Sequence, residues 1–166
     1  MSILKGKNLL ITGILTDASL AYSVAQLALD EGANIIITGA GRGLRLTERT
    51  ARKLDGEVDV LEFDVTDPEH ATKVRAELES KWGRVDGALH AIGFMPEVGL
   101  GEDFLAASWD EISVGFDISA YSIKTVAETI LPLMSGGGSI VGLDFDAKVA
   151  WPAYNWMGVA KAALES

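Results

Sequence analysis

Five short apolar runs, each closed by glycine or an acidic turn, alternate along this chain with stretches of helical periodicity. That alternation constrains the fold more than any other feature. The runs are Asn8–Thr12, Asn34–Thr38, Asp59–Phe63, Gly87–Ile92 and Ser139–Leu143, and each reads as a strand. After the first, Ala21, Val24, Ala25, Ala28 and Leu29 recur at helical spacing over Leu20–Glu31, and Gly32 suits a C-terminal cap. Helices are also predicted from about Leu44 to Leu54, from Asp67-Pro68 to about Trp82, from Asp110 to Leu133, and from near Tyr154. Strands separated by helices pair in parallel through right-handed crossovers. The expected fold is therefore α/β, a doubly wound parallel sheet of the Rossmann type, in one domain over residues 1–166. Dinucleotide-binding versions of this sheet have six or more strands, so the C-terminal strands are expected to be missing.

Composition removes several functional classes. With 166 residues and 48% hydrophobic content, the chain can bury one sizeable core. It carries 24 acidic against 14 basic residues, a net charge of -10. Such a field is unsuited to nucleic acid or anionic lipid. A single phosphorylated cofactor remains compatible, because backbone groups at a helix start bind phosphate regardless of net charge. The absence of cysteine excludes disulfides, thiol nucleophiles and zinc–thiolate sites and suits a reducing cytoplasm. The N-terminal segment "MSILKGKNLLITG" lacks a signal-peptide pattern, and no run approaches the roughly 20 apolar residues of a membrane span. A soluble, cytoplasmic protein is expected.

Two turns bear on nucleotide chemistry. "TGILTDASLA" follows the first run and opens a helix, where a glycine and free N–H groups can receive a pyrophosphate. It is not G-x-G-x-x-G: Gly13 is present, but Ser19 and Ala21 stand where further glycines belong. A plain structural turn with a serine cap fits equally well. The second run ends in "TGAGRG" with no acidic partner for an adenosine ribose. Arg42 there could meet a 2′-phosphate or simply be solvated, which leaves NADH and NADPH both open. Asp64 could accept from an adenine amino group or serve only its turn. His90, in an apolar run, reads as a packed, hydrogen-bonded core histidine, and His70 opens a polar helix. No His/Asp/Glu cluster has metal-ligand spacing, and no G-x-S-x-G elbow occurs.

Near the C-terminal end, Tyr154 and Lys161 lie seven positions apart. On a regular helix that step returns to within about 20° of the same face. An ammonium beside a phenol sharpens the hydroxyl as a donor to a developing oxyanion. An ordinary helical pair would look the same.

The order of "TGILTDASLA", Asp64-Val65, "HAIGFMP", "DISAYS", "GSIVGLDFD" and "PAYNWMGVAK" resembles the short-chain dehydrogenase/reductase superfamily from Leu4 to Ser166. More narrowly it is similar to the bacterial enoyl-acyl carrier protein reductases, above all the NADH-dependent type of mycobacteria and other actinobacteria. Most of the superfamily carries Y-x-x-x-K; here position 158 is glycine and the lysine comes at 161. The longer spacing and "IGFMP" resemble the enoyl reductases.

That resemblance implies NADH as cofactor and a trans-2-enoyl thioester, on acyl carrier protein or coenzyme A, as substrate. It implies that Gly13, Ser19 and Leu20 hold the pyrophosphate and that Asp64 and Val65 cradle the adenine. Ala91, Ile92 and Gly93 would line the adenosine and phosphate side, and Ile118 would touch the cofactor. Lys161 would grip the nicotinamide ribose, Tyr154 would donate to the thioester oxygen, and Phe145 and Met157 would flank the substrate. A homotetramer is implied too.

The departures are equally specific. Ala91 replaces the serine of some relatives, and "GAGRG" replaces a shorter segment bearing an aromatic. Family members also continue beyond the equivalent of Ser166 with further strands and a helical cover over the substrate. An incomplete C-terminal side, an unpaired edge beside the fifth strand and impaired turnover are therefore expected. The alternatives are a non-catalytic nucleotide-binding fragment or subunit, and a short-chain reductase acting on carbonyl compounds.

Overall fold

In the computed structural model, which describes residues 2–166, the five apolar runs become one parallel sheet. The strands are β1 (Asn8–Ile11), β2 (Asn34–Gly39), β3 (Asp59–Glu62), β4 (Gly87–His90) and β5 (Ser139–Gly142). The helices are α1 (Leu20–Asp30), α2 (Leu44–Ala51), α3 (Pro68–Trp82), α4 (Trp109–Phe116), α5 (Ser122–Ile130) and α6 (Asn155–Glu165). The strand order is β3-β2-β1-β4-β5. The predicted runs overshoot most strands by a residue or two, while β2 gains Gly39.

Register and burial explain why the order is stable. Leu10 pairs with Ile36 and with Ala88 across the two central ladders, and Ile11 pairs with Ile37 and Leu89. Side chains alternate across a strand. Leu10, Ile36 and Ala88 accordingly join Val74, Leu78, Val126 and Ile130 of α3 and α5 in one core. Ile11, Ile35, Ile37 and Leu89 join Ala21, Ala25 and Ala28 of α1 on the other face. Full burial of a side chain such as Ile36 or Leu10 contributes about 2 kcal/mol. The alanine stripe on α1 lets that helix lie close to the sheet.

Asp67 caps α3 by accepting from the Glu69 N–H at 2.8 Å, with Pro68 following, as the sequence predicts. The predicted helix Asp110–Leu133 is not uniform. A π-helical segment, Asp117–Tyr121, separates α4 from α5, and a 3-10 turn, Leu131–Leu133, ends it at Pro132. At the sheet edge, β5 pairs with β4 alone and Val141 is exposed. Among the described residues, no helix is long and apolar enough to cross a membrane.

Candidate functional site: the crevice between β1 and β4

The chain runs outward from β1 to β3, then returns to β4 on the other side of β1. At such a reversal the connections leave toward opposite faces, and a crevice opens beyond the carboxyl ends of the strands. A cavity of about 450 Å³ lies there. Its walls are Gly13–Leu15 after β1, Thr38–Ala40 at the end of β2, Gly43 and Thr47 at the start of α2, Phe63–Val65 after β3, Ala91–Phe94 after β4, and Ile118.

The β1 side is fixed by close approach. Gly13 has φ +83°, and a Cβ at that position would collide with the Ala91 carbonyl. Thr12 beside it is fully buried. Its hydroxyl donates to the Leu89 carbonyl at 2.9 Å and accepts from the Ala91 N–H at 3.0 Å, which locks the ends of β1 and β4 together. Ser19 occupies the N-cap position of α1, but its hydroxyl makes no bond to the helix N–H groups. Its hydroxyl accepts from the Leu15 and Thr16 N–H groups at 3.2 and 3.1 Å and so shapes the preceding loop. Ser19 and Leu20 stand at the head of α1 outside the cavity walls, and Leu20 is exposed.

Sequence reasoning missed the contribution of α2. Thr47 donates to the Ile14 carbonyl at 2.6 Å, and Thr50 donates to the Leu15 carbonyl at 2.9 Å. Gly39 at the end of β2 leaves room for this; a Cβ there would lie 2.7 Å from the Thr47 hydroxyl. At the end of β3, Asp64 accepts from the Thr66 N–H at 2.9 Å and hydroxyl at 2.7 Å. The Thr66 hydroxyl is the main reason its carboxyl stays below the usual aspartate range. Asp64 is therefore an ionised acceptor on the cavity wall. His70 accepts from the Asp64 N–H through Nδ1 at 3.1 Å and holds the turn.

The π-helical segment aims Ile118 into the cavity and ties the helix to the loop after β4. Ser119 is buried, donates to the Phe94 carbonyl at 2.6 Å and accepts from the Phe94 N–H at 2.8 Å. Ser122 donates to the Ile118 carbonyl at 2.6 Å. With its proton spent there, its oxygen must accept from His90 Nε2 at 2.7 Å, which assigns the Nε2–H tautomer. His90 is fully buried. Burial first, and the Lys161 charge second, push its pKa down to about 4, so it is neutral at pH 7. Its bare Nδ1 has no partner among the described residues, but an unprotonated nitrogen is only an unused acceptor. His90 is thus the hydrogen-bonded core histidine that its apolar strand predicts.

Lys161, on α6, is buried and donates to the Leu143 carbonyl beyond β5 at 3.3 Å. Burial lowers its pKa, and the Asp144 charge partly offsets this. A Cβ on Gly93 would lie 3.8 Å from its Nζ, so the ammonium borders the cavity at Gly93.

Tyr154 departs from the regular-helix expectation. It is the N-cap of α6, and Asn155 after it has φ +48°, so the seven-residue same-face rule does not apply across that break. The Tyr154 ring is 43% exposed and stacks on Phe145 with centroids 4.2 Å apart and planes 20° apart. Met157 packs instead on a small cluster of Met95, Ile112 and Ala160. The structure thus brings Gly13, Asp64, Val65, Ala91, Ile92, Gly93 and Ile118 into one cavity. Tyr154 and Phe145 form a separate pair, and Lys161 borders the cavity at Gly93 while bonding to the Leu143 carbonyl. Among the described residues, no cluster of three His, Asp or Glu could hold a metal.

A sequence model of the family described as enoyl-(acyl carrier protein) reductase matches residues 13–166. The chain is 46% identical, over 99% of its length, to an enoyl-[acyl-carrier-protein] reductase [NADH] of Mycolicibacterium smegmatis. It is 42% identical, over 99%, to one of Mycobacterium avium, and 38% identical, over 100%, to one of Neisseria meningitidis serogroup B. It spans 62%, 62% and 65% of the lengths of these relatives.

Proposed function

Because the chain belongs to the enoyl-(acyl carrier protein) reductase family, we propose that its 166 residues form the dinucleotide-binding domain of an NADH-dependent reductase. The substrate class is a trans-2-enoyl thioester on acyl carrier protein or coenzyme A, and the setting is cytoplasmic fatty-acid synthesis. The observation that carries this reading is the crevice at the strand reversal, bordered by the Lys161 ammonium at Gly93.

The residues fit such a cofactor. Gly93 leaves room for a ligand to approach the backbone, Gly13 brings the end of β1 against Ala91, and Ser19 and Leu20, at the head of α1 beside the cavity, would receive the pyrophosphate. Asp64 accepts from the adenine amino group, while Val65, Ala91, Ile92 and Ile118 provide apolar walls. NADH, when bound, supplies the hydride. Lys161 holds the nicotinamide ribose hydroxyls with an ammonium that water screens poorly. Tyr154 donates its hydroxyl proton in a hydrogen bond to the thioester oxygen as negative charge builds there. Phe145 holds the Tyr154 ring by stacking and meets the substrate with Met157. Assembly as a homotetramer draws on exposed apolar side chains at Trp109, Tyr121 and Leu131.

The test is NADH oxidation with a crotonyl thioester. Tyr154→Phe is expected to lower turnover about 100-fold with NADH affinity unchanged. Equal turnover by the variant, or reduction of carbonyl compounds but not enoyl thioesters, contradicts the assignment. A second reading is nucleotide binding without turnover. It is favoured by Tyr154 itself, which stands at the cap of α6, exposed and stacked on Phe145, outside the residues that line the cavity. NADH binding without oxidation by the native chain would select it.

A further inference from the structure

We propose that Trp156 is a positioning residue for Tyr154: its indole pins the head of α6 to the segment that follows β4 and so fixes where the tyrosine hydroxyl stands. The inference rests on the reading of Tyr154 as the donor to the thioester oxygen.

Tyr154 sits in a turn that would not hold its shape alone. Ala153 before it and Asn155 after it both adopt left-handed backbone, at φ +68° and +48°. Neither is a glycine, and such backbone persists only where its surroundings enforce it. The tyrosine ring is exposed, so core packing does not fix it. Its N–H donates to the Trp151 carbonyl at 3.3 Å, and its ring stacks on Phe145. Both of those partners belong to the same loop between β5 and α6, so neither ties the turn to the rest of the domain.

That tie comes from residues 100–108, which link the 3-10 turn Glu97–Gly99 to α4. Contacts from Gly101 and Phe104 bracket Tyr154 on its two sides. The Gly101 N–H donates to the Ala153 carbonyl at 3.0 Å. The Trp156 indole N–H donates to the Phe104 carbonyl at 3.1 Å, and the two rings stack with centroids 4.3 Å apart and planes 16° apart. The tryptophan is the stronger anchor, because it adds a stacked ring to its hydrogen bond. It also packs against the buried cluster of Met95, Ile112 and Ala160. The linking segment is itself held at its far end, where Ser108 and Glu111 form the capping box of α4.

A hydrogen-bond donor to a developing charge has little tolerance in position, and a misplacement of about 1 Å can cost about 100-fold in rate. Trp156 can therefore set turnover through Tyr154 without touching cofactor or substrate.

Fluorine NMR of the chain labelled with fluorotyrosine reads the position of Tyr154 directly. Tyr154→Phe assigns its resonance, and Tyr22, on α1, serves as the internal control. Trp156→Phe keeps a ring to stack on Phe104 and removes the N–H. It is expected to shift and broaden the Tyr154 resonance, leave that of Tyr22 in place, and lower kcat with a crotonyl thioester about tenfold while KM for NADH stays within about twofold. Gly101→Pro removes the other donor at a position where nothing lies within 4 Å of a Cβ. It should move the same resonance, and it decides the matter if Trp156→Phe does not fold. An unmoved Tyr154 resonance in the folded variants overturns the proposal. So does a fall in kcat matched by an equal loss of NADH affinity, which would make Trp156 a general support of the domain. A shifted resonance in a chain whose native form oxidises no NADH would uphold the positioning and overturn instead the reading of Tyr154 as a donor.

Discussion

At the crevice between β1 and β4, hydroxyls hold the backbone in place; in the segment from Asp144 to Asn155, buried polar groups wait for partners. Thr12, Thr47, Thr50 and Ser119 each bond to backbone carbonyls around the cavity. By contrast, both Asp144 oxygens and the Asn155 side-chain amide are buried without a partner among the described residues. Ala153 and Asn155 adopt left-handed backbone at φ +68° and +48°. Trp151 and Tyr154 are exposed. Each unpaired buried group costs about 1–3 kcal/mol and each left-handed residue about 1–2 kcal/mol. The first region is pre-organised before any ligand arrives. The second keeps hydrogen-bonding capacity unspent next to Lys161, where the proposed chemistry would use it.

The largest test of this contrast is steric. Gly13→Ala should cost about 3 kcal/mol or more, because the new methyl meets a carbonyl that Thr12 prevents from moving. Gly158→Ala, in α6, should instead stabilise by about 0.5–1 kcal/mol, since its Cβ would make ordinary contact with Tyr154 at 3.8 Å. Urea unfolding of both variants compares the regions directly, and a neutral Gly13→Ala would break the contrast.

The next test is the pH dependence set by His90. Below pH 6.5 the unfolded chain takes a proton that the folded chain refuses until about pH 4. The unfolded state therefore binds more protons in that window, and stability falls as pH drops through it, by up to roughly 3 kcal/mol. His90→Gln, which can still donate to Ser122, should flatten that portion of the profile. An unchanged slope would place the titration elsewhere.

The smallest effect belongs to Tyr154→Phe. Its stability should change by less than about 0.5 kcal/mol, because an exposed ring keeps its stack on Phe145. A large loss would show that the hydroxyl supports the fold, and the turnover comparison would then need reinterpretation.

The sheet was legible because each apolar run is bounded by glycine or an acidic turn, which makes strand position a local property. Gly13 and Asp64 were legible for the same reason, whereas Ala91–Gly93 came only from the family resemblance. Thr47 and Thr50 were not, since their role depends on α2 packing over the first loop. The π-helical segment was hidden because it accompanies Ser119 bonding to Phe94, a contact 25 residues apart in sequence. The regular-helix argument for Tyr154 failed at Asn155, where left-handed backbone places the tyrosine at the cap.

The most direct measurement of the central claim is the map of backbone amide resonances on titration with NADH. Shifts are expected to concentrate at Gly13, Asp64, Ala91–Gly93 and Ile118, with smaller ones at Lys161 and few along α3. Shifts centred away from the crevice, or none at saturating NADH, would contradict it.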